Sequence, residues 1–343
     1  MEKIHILTDS SADIPQMQVE AHGIEIVPIT LTHEGRTIRE YYDITPEEYW
    51  KLLEDSREIP ATAMVTPTVF LDSYRRAAGR GCTHLMAVLI NANGSGTYQA
   101  ACLARDMFRE EAGDGMRIEV IDSATYTYIY GRIVVQAAEM RDQGDSFDAI
   151  LSVVRSRLSR VEAYLGVYSL KHLKKSGRIS GGAAFVGEAL GLKPVSHVCD
   201  GAVTVCDKVR GEKALVPGLI RNVSRRVLQP EKQTALLLYG DVPTARIDEL
   251  EKRLRTEIGF RDVVRSPIGP SVLTNTGPQA LAVAYYGQSR SWAELGKLFK
   301  ISQLFRAKRK NLLKENKNAR FFTNLLAMDG ENEYNSVMEA EFF

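Results

Sequence analysis

The side chains able to do chemistry cluster in a few polar corners that follow apolar runs. The most pronounced is Asn91-Ala92-Asn93-Gly94-Ser95-Gly96-Thr97, after the run Leu85–Ile90 and before an amphipathic segment. A helix starting there offers free backbone N–H groups and a partial positive charge, which suit a phosphate or a carboxylate. Ser95 and Thr97 add hydroxyls, and Gly94 and Gly96 let the backbone come close to a ligand. The same residues also make an ordinary glycine-assisted helix cap, and Gly-Ser-Gly-Thr alone does not separate the two roles. Asp9 and Asp122 end two other apolar runs, in Thr-Asp-Ser-Ser-Ala-Asp and Ile-Asp-Ser-Ala-Thr. With Ser95 they would make a phosphotransferase or hydrolase only if the fold brought all three together; otherwise each caps the turn that follows it.

Other chemistries lack their signatures. There is no GxGxxG after a strand, no GxxxxGK[ST] and no GxSxG elbow, which leaves Ser95 a poor hydrolase nucleophile. His5, His22, His33, His84, His172 and His197 show no metal spacing, and Cys82, Cys102, Cys199 and Cys206 no CxxC, so neither a metal nor a cofactor is expected. With 44 Lys and Arg against 43 Asp and Glu, the net charge of +1 gives no global attraction for nucleic acid. No apolar run approaches the roughly 18 residues of a membrane span, and the run before Asp9 is too short for a signal peptide. Free thiols and no leader imply a cytoplasmic protein.

The elements that must position these corners alternate. Ile4–Thr8, Leu85–Ile90 and Arg117–Ser123 read as strands, and Ile24–His33 as one extended segment, since Pro28 argues against helix. Asp43–Asp55 reads as a helix capped by Thr45 with Pro46 at its first position. Further helices are expected after Gly96, after Ser123 through about Met140, and over Phe147–Leu158. This alternation indicates a parallel sheet covered on both faces. The second half changes character. Val195–Cys206 reads as a hairpin turning at Asp200-Gly201, Gln233–Gly240 as a strand, Pro243–Gly259 as a helix, and Asp262–Gly269 and Ala280–Gly287 as strands. A hairpin plus a crossover makes a mixed sheet. The expected fold is therefore α/β with two domains, 1–160 with a parallel sheet and 161–288 with a mixed sheet. Residues 289–343 form a basic extension whose Leu295, Leu298, Phe299, Leu304 and Phe305 fall in helical rhythm. It serves either as a helix packed on the protein or as a partner- or lipid-surface helix.

Five stretches taken together, ILTDSSADIP, NGSGTYQAA, VIDSATYTY, SLKHLKKSGRIS and IGPSVLTNTGPQALAVAYY, resemble the DegV family in order and spacing over about residues 1–287. These are fatty-acid-binding proteins that serve as acyl-presenting subunits of the bacterial fatty acid kinase. The resemblance implies two α/β domains with one long-chain fatty acid in an apolar tunnel between them, its carboxylate held by hydroxyls. It implies no catalysis by this chain, a separate kinase catalytic subunit as partner, and a transient membrane contact as a further option. The family's serine falls on Ser95 and its upstream threonine on Thr62, within PATAMVTPTVF; Thr66, Pro67 and Phe70 keep the outline, while Ala63, Met64 and Val65 depart from it. Its His-Thr-Gly-Pro is Asn275-Thr276-Gly277-Pro278 here, which makes Asn275 and Thr276 secondary candidates; Asn275 can donate a hydrogen bond but carries no charge. Its arginine falls on Arg178, which with Lys171, Lys174 and Lys175 forms a local basic patch suited either to kinase docking or to a solvated helix end. A lipid-responsive scaffold without a kinase is the remaining alternative.

Overall fold

The computed structural model describes residues 2–56, 58–169, 171–176 and 191–287. Its first half runs β1 (Ile4–Asp9), α1 (Gln16–His22), β2 (Glu25–Val27), β3 (Thr30–His33), β4 (Arg36–Arg39), α2 (Pro46–Asp55), β5 (Ala61–Ala63), α3 (Pro67–Gly79), β6 (His84–Leu89), α4 (Thr97–Ala112), β7 (Arg117–Asp122), α5 (Tyr128–Gln143) and α6 (Phe147–Leu158). Strands β2-β1-β6-β7 form an all-parallel sheet in that order. Leu85 through Leu89 are buried without alternation, as a central parallel strand covered on both faces requires. Helix α2 begins with a reciprocal cap: Glu48 N donates to Thr45 Oγ1 at 3.2 Å, and Thr45 N donates to Glu48 Oε2 at 2.9 Å.

The stretch 24–33 is not one strand. β2 stops at Val27 in the parallel sheet, and β3 starts at Thr30 in a separate antiparallel sheet of order β4-β3-β5. Pro28 has no N–H for a ladder, so the chain changes sheets there.

The second half runs β8 (Val161–Val167), α7 (Lys171–Ser176), β9 (Leu192–Cys199), β10 (Ala202–Arg210), α8 (Leu215–Ser224), β11 (Thr234–Tyr239), α9 (Thr244–Arg253), β12 (Asp262–Pro267), α10 (Pro270–Thr276) and β13 (Ala280–Tyr286). Its sheet has the order β10-β9-β8-β13-β11-β12, with only β11 and β12 parallel. Asp200 and Gly201 turn the β9–β10 hairpin with φ of 49° and 71°, both positive as a type I′ turn demands. Helix α9 is shorter than its periodicity suggests: a π-helical turn over Leu254–Ile258 replaces its last turn and ends on Gly259. The chain is thus α/β, with a parallel sheet and a mixed sheet.

Three apolar clusters explain the layering. One packs α3 and α4 on one face of the parallel sheet, through Phe70, Tyr74, Ala101 and Phe108. A second packs α8 and α9 on the mixed sheet, through Leu215, Leu219, Ile247 and Leu250. The third and largest joins α5, α6 and the other face of the parallel sheet to Ala163, Val198, Leu238 and Ala282 on the inner face of the mixed sheet.

Candidate functional site

The corner after β6 is a built structure. Asn91 is fully buried, and its Nδ2 donates to Gly201 O at 2.9 Å and to Tyr126 Oη at 2.6 Å. Its backbone carbonyl accepts from Gly94 N at 3.0 Å and Ser95 N at 3.1 Å, which closes the turn. Ser95 Oγ lies 2.9 Å from Thr97 Oγ1 and accepts from Thr97 N at 3.3 Å. The glycines are needed for close approach: a Cβ on Gly94 would lie 2.6 Å from Tyr126 Oη, and one on Gly96 would overlap Met64 Sδ.

The next corner, after β7, is pinned against the first. Asp122 Oδ1 accepts Ala92 N at 3.0 Å and Ala124 N at 2.8 Å; Asn91 N donates to Thr125 O at 3.1 Å, and Gly201 N to Ala124 O at 2.9 Å. Thr127 closes this loop with φ 62° and ψ −160°, a region almost confined to glycine. A β-branched residue there costs on the order of 1–3 kcal/mol, and it persists because the surrounding bonds over-determine the loop.

Both corners open on a cavity enclosing about 1070 Å³, part of it continuous with solvent. Thr62, Ser95, Asn275 and Thr276 all line it, so the fold brings four sequence candidates from β5, the β6–α4 corner and α10 to one cavity. Thr62 and Ser95 are half-buried, and Met64 stands on the rim, 49% exposed. Asn275 Nδ2 donates to Ser271 O at 2.8 Å, and the buried Thr276 hydroxyl donates to Val272 O at 3.2 Å, so both also serve their own helix.

The far wall is a stripe of cross-strand neighbours: Val203 faces Val198, Val198 faces Ala163, Leu165 faces Ala282, and Ala282 faces Leu238. Among the described residues no charged side chain lines the cavity. An apolar chamber with neutral hydrogen-bonding groups on one wall accepts a long apolar body carrying a small polar head; it does not suit a highly charged ligand.

The remaining candidates lie elsewhere. Asp9 and Asp122 do not line the cavity, and each is committed to backbone amides, so Ser95, Asp9 and Asp122 do not converge as a catalytic set. Arg178 lies outside the described residues, as does the extension from 289. Lys171 and Lys175 are exposed on α7, and Leu173 and Ser176 of the same helix line the cavity. Among the described residues no three His, Cys, Asp or Glu side chains come close enough to hold a metal ion, and no helix is long and apolar enough to cross a membrane. The sequence reading missed Met64, Tyr126, Thr127, Ser176 and Ser271 as lining residues. Tyr126 and Thr127 carried a signal, since they follow a strand-ending Asp-Ser as Ser95 follows its own strand.

Fold and site together define an α/β protein with an uncharged, largely apolar chamber. The chain matches the model of the DegV family, described as uncharacterised proteins, over residues 3–288, and it belongs to that family. A DegV domain-containing protein of Caldanaerobacter subterraneus is 33% identical over 285 residues, 83% of this chain and 99% of the relative. Among solved structures, a fatty acid binding DegV family protein from Streptococcus agalactiae superposes with a TM-score of 0.74 at 26% identity, covering 84% of this chain and 100% of that one. A DegV family protein from Thermus thermophilus, described for its fatty acid binding, gives 0.72 at 26% identity, covering 83% and 100%.

Proposed function

We propose that this protein binds a long-chain fatty acid in the cavity and presents its carboxylate to a separate kinase for acyl phosphate formation. The observation that carries the reading is the chamber itself: free of charged side chains among the described residues, and lined by Val203, Val198, Ala163, Leu165, Ala282 and Leu238 together with Thr62 and Ser95. Each methylene buried there contributes ~0.8 kcal/mol, so a dozen contribute on the order of 10 kcal/mol without any catalytic machinery. The head group needs partners, because a polar group buried without them costs about 1–3 kcal/mol by protein mutational data and a carboxylate more. Thr62, Ser95 and Asn275 supply neutral ones. Both relatives compared above at 26% identity are described as binding fatty acid.

The chemistry would come from the partner, since Asp9 and Asp122 are taken up by backbone amides. Lys171, Lys174 and Lys175 with Arg178 form the docking patch in this reading, acting in the cytoplasm. The domain boundary is placed at residue 160, and residues 289–343, which the family match does not cover, are assigned to partner or transient membrane contact. Native mass spectrometry of freshly purified protein, followed by lipid extraction, tests the core of the proposal. A co-purified fatty acid is expected. No acyl ligand, and no binding of added fatty acid, refutes it.

A further inference from the structure

Helix α10 follows β12 in the second half of the chain, yet it is held from the first half. Gly269 N donates to Asp13 Oδ2 at 2.9 Å, Ser271 N donates to Glu40 Oε1 at 2.6 Å, and Thr274 Oγ1 lies 2.5 Å from Tyr49 Oη. The fit leaves no slack, because a Cβ on Gly269 would overlap the Asp13 carboxylate. Glu40 is 1% exposed, and its other oxygen accepts from Ser10 Oγ at 2.5 Å. The neighbouring Asp9 is fully buried and accepts Ile90 N at 2.7 Å and Tyr130 Oη at 2.8 Å. Ile90 leads straight into the Asn91–Gly96 corner. The buried Asp9 and Glu40, with the partly buried Asp13, therefore tie α10, which brings Ser271, Asn275 and Thr276 to the cavity, to the corner that carries Ser95.

Among the described residues the cluster shows no compensating cation. Asp9, Asp13 and Glu40 act on one another and on the phenols of Tyr49 and Tyr130, and among the described residues no Lys, Arg or His lowers the pKa of any of the three. Burial pushes the Glu40 carboxyl up to about 7, even against its hydrogen bonds. Burial, then the charges of Glu40 and Asp9, push Asp13 well above the usual carboxylate range. Desolvation and like charge both favour the neutral form.

We propose that Asp13 and Glu40 are positioning residues of the ligand site, docking α10 against the Ser95 wall while they retain a proton, so that closing the cavity on a fatty acid takes up a proton. This rests on the lipid-binding reading above. A carboxyl that is protonated when α10 is docked and ionised when the seam opens to water makes docking a proton-binding step. Affinity is highest in acid and falls as pH rises from about 4.5, the value of a solvated glutamate, through about 7, with Asp13 extending the fall upward. One proton taken up corresponds to about a tenfold change in affinity per pH unit. The ligand's own negative charge acts in the same direction, because it favours the neutral carboxyls.

The test uses the full chain, stripped of lipid, and the fluorescent fatty acid cis-parinarate. Affinity is measured between pH 5.5 and 8.5 for the wild type, Glu40→Gln and Asp13→Asn, with circular dichroism at each pH. Calorimetry in two buffers of different ionisation enthalpy counts the protons. The expected result is net proton uptake by the wild type near pH 6.5 and a shallower affinity profile for each variant that folds. Coincident profiles for wild type and variants overturn the inference, as does net proton release. If neither variant folds, the wild-type count decides: no net uptake overturns the inference while leaving the lipid reading in place. Absence of parinarate binding at every pH overturns the lipid reading, and this inference with it.

Discussion

Substituting Gly131 by alanine sets two general effects against each other. In an exposed helix interior the change stabilises by about 1 kcal/mol, because glycine has more backbone freedom to lose. Gly131 is in the first turns of α5, where the helix crosses the turn at 10–12. A Cβ there would lie 3.0 Å from Ile14 Cγ1 and closer still to the Ala12 carbonyl oxygen, which is backbone and cannot swing away. Helix and turn must separate, at a typical overpacking cost of ~1–3 kcal/mol. The neighbouring Tyr130–Asp9 hydrogen bond, 2.8 Å long, would lengthen with them; a bond to a charged group contributes about 1.5–3 kcal/mol when ionised and less when neutral. The helix-propensity gain offsets only part of this, so a net loss of about 1–3 kcal/mol is expected. Urea denaturation followed by circular dichroism measures it, with Gly79→Ala as control. Gly79 ends α3, is exposed, and nothing lies within 4 Å of its Cβ position. Equal midpoints for the two variants would refute the close-approach argument. So would a more stable Gly131→Ala. Because α5 carries Ile129 into the cavity lining and Thr127 caps its start there, the variant should also bind lipid less tightly than the control.

Three further outcomes are expected. Ser95→Ala should weaken fatty acid binding by about 1–3 kcal/mol, the cost of leaving a buried polar head short of a partner, with the fold unchanged; an unchanged affinity removes Ser95 from the site. Leu165→Trp projects its ring from the inner face of β8 into the chamber and should abolish co-purification of lipid, read by mass spectrometry, while the melting temperature stays within a few degrees. Glu162 should dominate acid sensitivity in the mixed sheet. Burial opposes its ionisation, but hydrogen bonds from His197 at 3.3 Å and Arg226 at 2.8 Å hold its pKa at about 2. Its stabilising contribution, at most about 3 kcal/mol, is complete above about pH 4.5 and is lost as the pH falls toward 2; Glu162→Gln should flatten the denaturation midpoint across that range.

Periodicity and turn chemistry made much of the fold legible. The β6, β7 and β11 strands, the Thr45 cap and the Asp200-Gly201 turn were readable because each is decided within a few residues. Other elements escaped. β8 follows α6 after only Ser159 and Arg160, too short a break for the pattern to show a new element; β4 and β5 are short and mostly exposed, and pair only with β3. The Pro67 helix start was visible as a motif but not as a helix, since Thr66 caps it without a side-chain bond. At the site, Thr62, Ser95 and Asn275 came from a resemblance, and local pattern alone left Ser95 an ordinary cap. Glu40 could not have been singled out, because its partner Ser271 N is 231 positions away and one acidic residue in an exposed-looking stretch carries no mark of burial.

The bond between Asn91 and Gly201 has a consequence for biosynthesis. The two residues are 110 positions apart, and a chain emerging from the ribosome at roughly 5–20 residues per second completes the first before the second for several seconds at least. During that interval the parallel sheet can form, but the amide of Asn91 faces a space that the hairpin has not filled. Glu40 waits longer still, until residue 271 arrives. Such distant pairings fold slowly, because loop closure comes before the contact that rewards it. Until then Ala163, Val198, Leu238 and Ala282, which join the cluster around α5 and α6, are not there to complete it. On the proposed lipid-binding reading, a fatty acid present when the hairpin docks would enter as a late part of the fold rather than as cargo loaded afterwards.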